Sequence, residues 1–364
     1  MRAGSSALPD FPWDSLTEVK ATAHAHPGGA VDLSVGTPVD PVPEPIRAAL
    51  ASVSDIPGYP TTHGTSELRA AAAEALRRRH GVGGIEPDAV LPTIGSKEMV
   101  AWLPRLLGFG PGDTVVIPEL AYPTYEVGAL LAGASVLRAD SLVALGPQRP
   151  AMIWLNSPSN PTGRVLGVDH LRKVVEWARE RDVLVVSDEC YLALGWESEP
   201  VSILHPSVSG GSTRGLLAVH SLSKSANLAS YRAGFVTGDP TVVAELLAVR
   251  KHAGMIVPRP VQEAMTVALA DDDALAAQRE KYERRRTILQ KALHDNGFRI
   301  DHSEAGLYLW ASRGEDAWKT LTWLAERGIL VAPGTFYGPR GSQHVRVALT
   351  ATDERIEAAA ERLQ

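Results

Sequence analysis

The sequence predicts an α/β fold: a large domain with a mostly parallel central sheet flanked by helices, followed by a small α+β domain. Three observations predict it. The apolar runs Val115–Ile117, Met152–Leu155, Val183–Val186 and Leu216–Val219 are continuous rather than alternating, which suits parallel strands buried on both faces. The third run leads into Asp188, putting a carboxylate at a strand's C-terminal end, where open α/β sheets bind ligands. The length, 364 residues, accommodates two domains or one large domain with an appendage. The expected division is an arm and part of the small domain over 1–40, the large domain over 41–254, and a C-terminal small domain over 255–364.

The elements follow in order. Pro9, Pro12 and Pro27 bracket a short helical stretch, about Trp13 to Ala25. Val31–Val35 alternates and breaks at Gly36, a strand ending in a turn. Thr65 or Ser66 is placed to cap a helix through Ala70–Arg79. Leu91–Ile94 then joins a helix through Gly95, Ser96 and Lys97. Glycine lets backbone approach closely, and the amides of a helix N-terminus suit a phosphate. Val115–Ile117 is followed by Tyr122 and Tyr125, either of which could stack on a flat ligand or pack in the core. Met152–Asn156 runs into NSPSNPTG, a stiff turn in which Pro161 fixes the backbone that aims Asn160.

Leu216–Val219 leads to Ser221, Ser223 and Lys224, with Arg232 eight positions beyond the lysine. A lysine just past a buried strand loses hydration, which favours its neutral, nucleophilic amine. Such an amine condenses with an aldehyde cofactor, while arginine offers a planar fork to a phosphate. Ala233–Gly238 reads as a strand and Thr241–His252 as a helix. The break at Gly254–Pro260 marks the domain boundary. Residues 261–294 read as helical, with a solvated charged face around Gln278–Arg286. Arg299–Asp301 and Leu307–Ala311 are strands, and Gly328–Val331 starts the final sheet. In His344–Leu349, Arg346 stands between apolar residues and requires an anionic partner, a substrate carboxylate or a structural acid.

Composition narrows the class. A hydrophobic content of 45% is ordinary for a globular chain. A net charge of −6 argues against a nucleic-acid binder. The single cysteine, Cys190, excludes an intrachain disulfide and fits a reducing compartment. The opening MRAGSSALPDFPWD lacks the apolar core of a signal peptide, and no apolar run reaches the roughly 18 residues of a membrane span. The expectation is a cytoplasmic protein that binds neither nucleic acid nor membrane, with no metal site.

The string SLSKSANLASYRAG, Ser221 to Gly234, resembles the lysine signature of class I/II pyridoxal-phosphate aminotransferases of fold type I. Ser230 is a mild departure from that signature. Further family motifs occur in order from Gly36 to Arg346, so the resemblance spans nearly the whole chain. It implies that Lys224 holds pyridoxal 5'-phosphate and shuttles the substrate proton. Asp188 would keep the pyridine nitrogen protonated, and Asn160 and Tyr191 would contact the phenolic oxygen. Tyr122, favoured over Tyr125, would stack on the ring. Gly95, Ser96, Lys97, Ser221, Ser223 and Arg232 would surround the phosphate, with Tyr59 reaching it across a homodimer interface. Gly36 and Arg346 would receive the substrate α-carboxylate.

ALPDFPWDSL, VDLSVGTPVDPVP and PGYPTTHGTSELR resemble, more narrowly, actinobacterial succinyldiaminopimelate aminotransferases of the lysine pathway. That implies N-succinyl-LL-2,6-diaminopimelate and 2-oxoglutarate as substrates. An anionic distal group wants a cation, for which Arg259 is the candidate; a plain surface arginine is the alternative. An aspartate- or aromatic-type aminotransferase and a carbon–sulfur β-lyase share the fold and remain as alternatives. A cofactor-sensing regulator would carry a DNA-binding segment first, for which the stretch before Val31 is too short.

Overall fold

The structure, a computed structural model, describes residues 8–364; residues 1–7 of the expected arm lie outside the described residues. In chain order the strands are β1 (Val31–Asp32), β2 (Val90–Ile94), β3 (Thr114–Ile117), β4 (Ser135–Arg138), β5 (Met152–Asn156), β6 (Leu184–Asp188), β7 (Leu216–Ser221), β8 (Ala233–Gly238), β9 (Arg299–Asp301), β10 (Tyr308–Ser312), β11 (Ile329–Leu330), β12 (Ala332–Pro333) and β13 (Val345–Ala348).

Seven strands form the large sheet in the order β2-β8-β7-β6-β5-β3-β4. β8 is antiparallel to both neighbours, whereas β7, β6, β5, β3 and β4 pair in parallel. This is the mostly parallel sheet that the continuous apolar runs predict. The runs are apolar throughout because both faces are covered. Ile153 and Leu155 join one core with Leu171, Val174 and Val175 of helix Val168–Glu180. Met152 and Trp154 join another with Met99, Leu103 and Tyr125 on the opposite side. The chain steps one way from β3 to β4 and the other way from β5 onward, so the loops after β3 and β5 diverge and leave a crevice. Tyr122 and Tyr125 follow β3, and NSPSNPTG follows β5.

The small sheet, β12-β13-β10-β9, is antiparallel. Helices Asp272–Asp295 and Asp353–Leu363 cover it through Tyr282, Leu289, Ile356 and Ala359. Gly328–Val331 does not open this sheet as expected. Ile329–Leu330 instead pair in parallel with Val31–Asp32 in a separate ribbon, because Val31, Leu33, Ile329 and Val331 bury their side chains in the same core.

The helical run expected over 261–294 is two helices, Arg259–Ala270 and Asp272–Asp295. Asp271 separates them and caps the second, accepting from Ala274 N at 2.9 Å. The first packs Ala264, Met265, Ala268 and Leu269 against Leu68, Ala72 and Leu76 of helix Ser66–His80. Thr65 is the cap of that helix, accepting from Leu68 N at 3.2 Å. The solvated face expected around Gln278–Arg286 is corrected in part: Arg279, Glu280, Glu283 and Arg284 are exposed. Gln278, Arg285 and Arg286 are buried, because Asp40, Asp353 and Glu197 come from distant segments to pair with the arginines. Among the described residues, no helix is long and apolar enough to cross a membrane.

Candidate active site

The strand ends build the site. Asn156 and Asp188 are directly paired neighbours at the C-terminal ends of β5 and β6. Asn156 Nδ2 donates to the Asp188 carbonyl at 2.9 Å and to the Pro158 carbonyl at 3.1 Å. Its Oδ1 accepts from Asn160 N at 2.7 Å. One amide side chain therefore sets the strand spacing and shapes the turn that presents Asn160. The Ser157–Pro158 and Asn160–Pro161 bonds of that turn are cis.

Asp188 is 6% exposed. The Tyr125 hydroxyl donates to its Oδ2 at 2.8 Å, and Cys190 N to its Oδ1 at 3.2 Å. Burial raises the carboxyl pKa, and the bonds from Cys190 and Tyr125 pull only part of the way back. No Lys, Arg or His among the described residues forms an ion pair with it. A buried carboxylate without a cation is costly, so the site suits a bound group that brings its own positive nitrogen.

Lys224 follows β7, and its Nζ donates to the Gly36 carbonyl. Burial lowers its pKa, with Arg346 and Arg232 adding to the effect against Tyr308 and Cys190, the direction expected of a lysine that loses hydration. Gly36 needs its hydrogen side chain, because a Cβ there would overlap the Tyr308 hydroxyl. Tyr308 shares a 3.1 Å hydrogen bond with the Tyr191 hydroxyl and lies 3.9 Å from the Arg346 guanidinium carbon.

Arg346 stands in β13 opposite Trp310 and Ala332. It donates to Asn160 Oδ1 at 2.7 Å and to the Ser34 carbonyl at 2.6 Å. Both acceptors are uncharged, so the structural-acid alternative is absent among the described residues. Its buried Nε has no partner there.

Gly95 begins helix Gly95–Leu106 with φ 70°. A Cβ on it would overlap the Arg232 guanidinium, so arginine and helix N-terminus share one cradle, and Ser96 stands at the helix's first turn. Arg232 itself adopts φ 56° and donates to the Ala229 carbonyl at 2.9 Å. Ser221 Oγ accepts from Ser223 N at 3.2 Å, tightening the turn before Lys224.

The structure thus gathers Lys224, Gly36, Arg346, Asn160 and Tyr191 through direct contacts or shared neighbours, and places Asp188 beside them. Tyr125 is committed to Asp188 and stacks on Trp154 at 4.9 Å. Tyr122 is half-buried beside Asp188 and Tyr308, its hydroxyl pushed up to about 12 by burial. Three residues stand apart. Lys97 is exposed, with its ammonium 5.8 Å from the Phe11 ring. Tyr59 is 99% exposed. Arg259 pairs with Glu263 at 2.9 Å.

Sequence reading missed Asn156, Tyr308 and Ser34, and it gave Tyr125 no part in holding Asp188. Asn156 carried a signal, as the first residue of NSPSNPTG at a strand's end; Tyr308 and Ser34 carried none beyond a strand pattern.

Residues 29–363 match the family model for class I and II aminotransferases, and the chain belongs to that family. It is a pyridoxal-phosphate-dependent aminotransferase of fold type I, and the lowered lysine, the buried Asp188 carboxylate without a cation and the Gly95–Arg232 cradle fit that cofactor. A probable aminotransferase of Mycobacterium tuberculosis is 67% identical over 99% of this chain and 86% of its own length. A 4-dedimethylamino-4-oxo-anhydrotetracycline transaminase of Streptomyces rimosus is 57% identical over 98% of this chain and 99% of its own. The solved structure of a probable N-succinyldiaminopimelate aminotransferase from Thermus thermophilus superposes with a TM-score of 0.87 at 30% identity, covering 97% of this chain and 99% of that one.

Proposed function

We propose that the protein transaminates N-succinyl-LL-2,6-diaminopimelate with 2-oxoglutarate, using Lys224 as the proton carrier. The geometric observation behind the assignment of roles is Arg346. Its buried guanidinium is held by two neutral oxygens and keeps an unpartnered Nε, an arrangement that wants an anion such as an α-carboxylate. The substrate name draws its support from the N-terminal strings and from the printed name of the Thermus thermophilus structure.

When bound, pyridoxal phosphate supplies an aldehyde that captures the amino group and a ring that accepts electron density from the broken C–H bond. Arg346 and Gly36 orient the α-carboxylate. Lys224 Nζ, whose pKa burial lowers, takes the Cα proton and returns it one position along. Asp188, steadied by Tyr125 and Cys190 N, holds a proton-bearing ring nitrogen. Asn160 and Tyr191 donate to the phenolic oxygen, and Tyr122 covers the ring. Gly95, Ser96, Ser221, Ser223 and Arg232 receive the phosphate through amides, hydroxyls and a guanidinium. Lys97 contributes its backbone amide there rather than its charge. Exposed Tyr59 serves the neighbouring site of a homodimer, and Arg259 reads the distal succinyl carboxylate. The division into 1–40, 41–254 and 255–364 belongs to the same reading, with helix Arg259–Ala270 leaning on the larger domain.

The 57% relative supports a second reading, in which the oxo substrate is a bulky ring ketone. A donor and acceptor panel separates the two, scored by the absorbance change as bound cofactor passes between its aldehyde and amine forms. The proposal expects fastest conversion by the succinylated donor and fastest return by 2-oxoglutarate. No conversion by that donor, or return by a polycyclic ketone alone, overturns it. Pyruvate and a thiol from cysteine-type substrates would indicate a β-lyase instead.

A further inference from the structure

Helix Asp272–Asp295 turns one face toward the Lys224 loop. Gln278, Tyr282 and Arg285 are spaced four and three residues apart, which puts them on that face together. Tyr282, fully buried, donates its hydroxyl to the Lys224 carbonyl at 3.1 Å. Gln278 Oε1 accepts from Asn227 Nδ2 at 2.8 Å, and Gln278 Nε2 donates to Asp40 Oδ2 at 2.9 Å. Arg285 grips both oxygens of Asp40, at 2.7 and 2.8 Å, and donates to Asp353 at 2.6 Å. Burial pushes the Asp40 carboxyl up, but Arg285 and Gln278 outweigh it and hold it below its ordinary value. Asp40 therefore carries its charge.

These contacts close a ring. Asp40 lies four residues beyond Gly36, whose carbonyl takes the Lys224 ammonium or amine proton. Asn227 lies three residues beyond Lys224, in the left-handed region at φ 57°. Lys224 is thus tied at its amine to the 36–40 segment, at its carbonyl to Tyr282, and three residues on to the same segment through Gln278. The 34–40 segment also supplies the Ser34 carbonyl that receives Arg346. The group that moves the proton and the group that orients the carboxylate are therefore referenced to one short stretch of backbone.

We propose that Gln278 and Tyr282, with Asp40 as their anchor, are positioning residues that hold the Lys224 amine in register with the 34–40 segment for proton transfer. The proposal rests on the reading of Lys224 as the proton carrier. None of the three needs to touch substrate or cofactor. Their part is to keep a long side chain within reach of one Cα, where a displacement of about 1 Å costs up to about a hundredfold in rate.

The test uses the full-length holoenzyme. Borohydride reduction and peptide mapping first ask whether Lys224 carries the cofactor, which tests the underlying reading separately. Gln278→Met then removes both amide contacts at similar volume, and Tyr282→Phe removes only the hydroxyl. Circular dichroism establishes that each folds. Asp353→Asn, which loosens Arg285 from its solvent side, is the control for a purely structural role. The readout is single-turnover proton transfer with an α-deuterated and an α-protiated amino donor. The expected result is a fall of about tenfold in the transfer rate for each of the first two variants. The isotope effect should rise, donor affinity should stay within about twofold, and Asp353→Asn should keep the parent rate. A rate within about twofold of the parent in both folded variants overturns the proposal, as does an equal loss in Asp353→Asn. If borohydride labels another lysine, the underlying reading fails first.

Discussion

The floor of the site can be set against its rim. At the ends of β5 and β6, Asn156 bridges two strands, and Tyr125 and Cys190 N hold the oxygens of Asp188. At the rim, Tyr59 is 99% exposed, and Arg259, partly exposed, pairs with Glu263 one helical turn away. On the floor, Asn156 and the oxygens of Asp188 find hydrogen-bond partners within one chain, as burial demands. The rim has the composition of a surface that awaits something else. The contrast teaches that one protomer's sheet fixes how Asn156 and Asp188 are held, whereas nothing within one protomer fixes what Tyr59 does.

The largest effect should come from the floor. Lys224→Ala is expected to fold and to lose about 10⁴-fold in turnover, near the upper limit for general acid–base catalysis. Steady-state assays check this, and turnover within tenfold of the parent would break the assignment. Asp188→Asn should retain cofactor and lose about one to two decades in kcat, because a charge-assisted bond contributes about 1.5–3 kcal/mol. Parent-like kcat with full cofactor occupancy would show that the buried carboxylate is only structural.

The rim is tested by mixing. Tyr59→Ala alone should lose about tenfold, consistent with one lost bond to a charged phosphate. Dimers co-assembled from Tyr59→Ala and Lys224→Ala chains should show activity above that of either variant alone, since one site per heterodimer would keep both residues. Light scattering with an active monomer, or no recovery in co-assembled dimers, counts against a shared site. Arg259→Ala is expected to reduce kcat/KM for the succinylated donor about tenfold more than for glutamate. Equal losses would assign Arg259 to the fold through Glu263.

The smallest effect concerns a buried pair beneath the floor. Glu189 Oε2 and His220 Nε2 face each other at 3.7 Å, and neither has a hydrogen-bond partner among the described residues. Burial raises Glu189 from 4.5 to about 7 and lowers His220 from 6.5 to about 3. Between about pH 3 and 6.5 unfolded chain binds the histidine proton more readily, so His220 costs stability as pH falls. Between 4.5 and 7 the folded chain holds the Glu189 proton more tightly, so that group costs stability as pH rises. The two oppose each other from 4.5 to 6.5. His220→Leu leaves the glutamate contribution alone, so its Tm relative to the parent should climb as pH falls through that window, by about 2 °C or more. A flat or reversed difference would indicate an ion pair instead.

The floor was largely legible in the sequence and the rim was not, for a physical reason. Lys224, Asp188 and Asn160 each sit just past an apolar run, and a strand's end is a local signal. Arg346 was legible because a charge between Val345 and Val347 has to be answered. Nothing local marks Gln278 or Arg285 as buried. Their partners Asp40 and Asp353 arrive from distant segments, so the helix read as an ordinary wetted one. Both strands of the β1–β11 ribbon were read from the sequence, but their pairing was not, for the same reason: it joins distant segments. Lys97 shows the reverse error: a motif position suggested charge at the cradle, and the side chain extends toward Phe11 instead.

The pairing of Val31 with Ile329 also has a temporal consequence. Chains leave the ribosome N-terminus first, so the stretch bearing Ser34 and Gly36 emerges early but lacks its strand partner until residue 330 has been made. The seven-stranded sheet, complete by Gly238, can assemble well before that. During synthesis every strand of that sheet is therefore available before the Val31–Ile329 pairing can form.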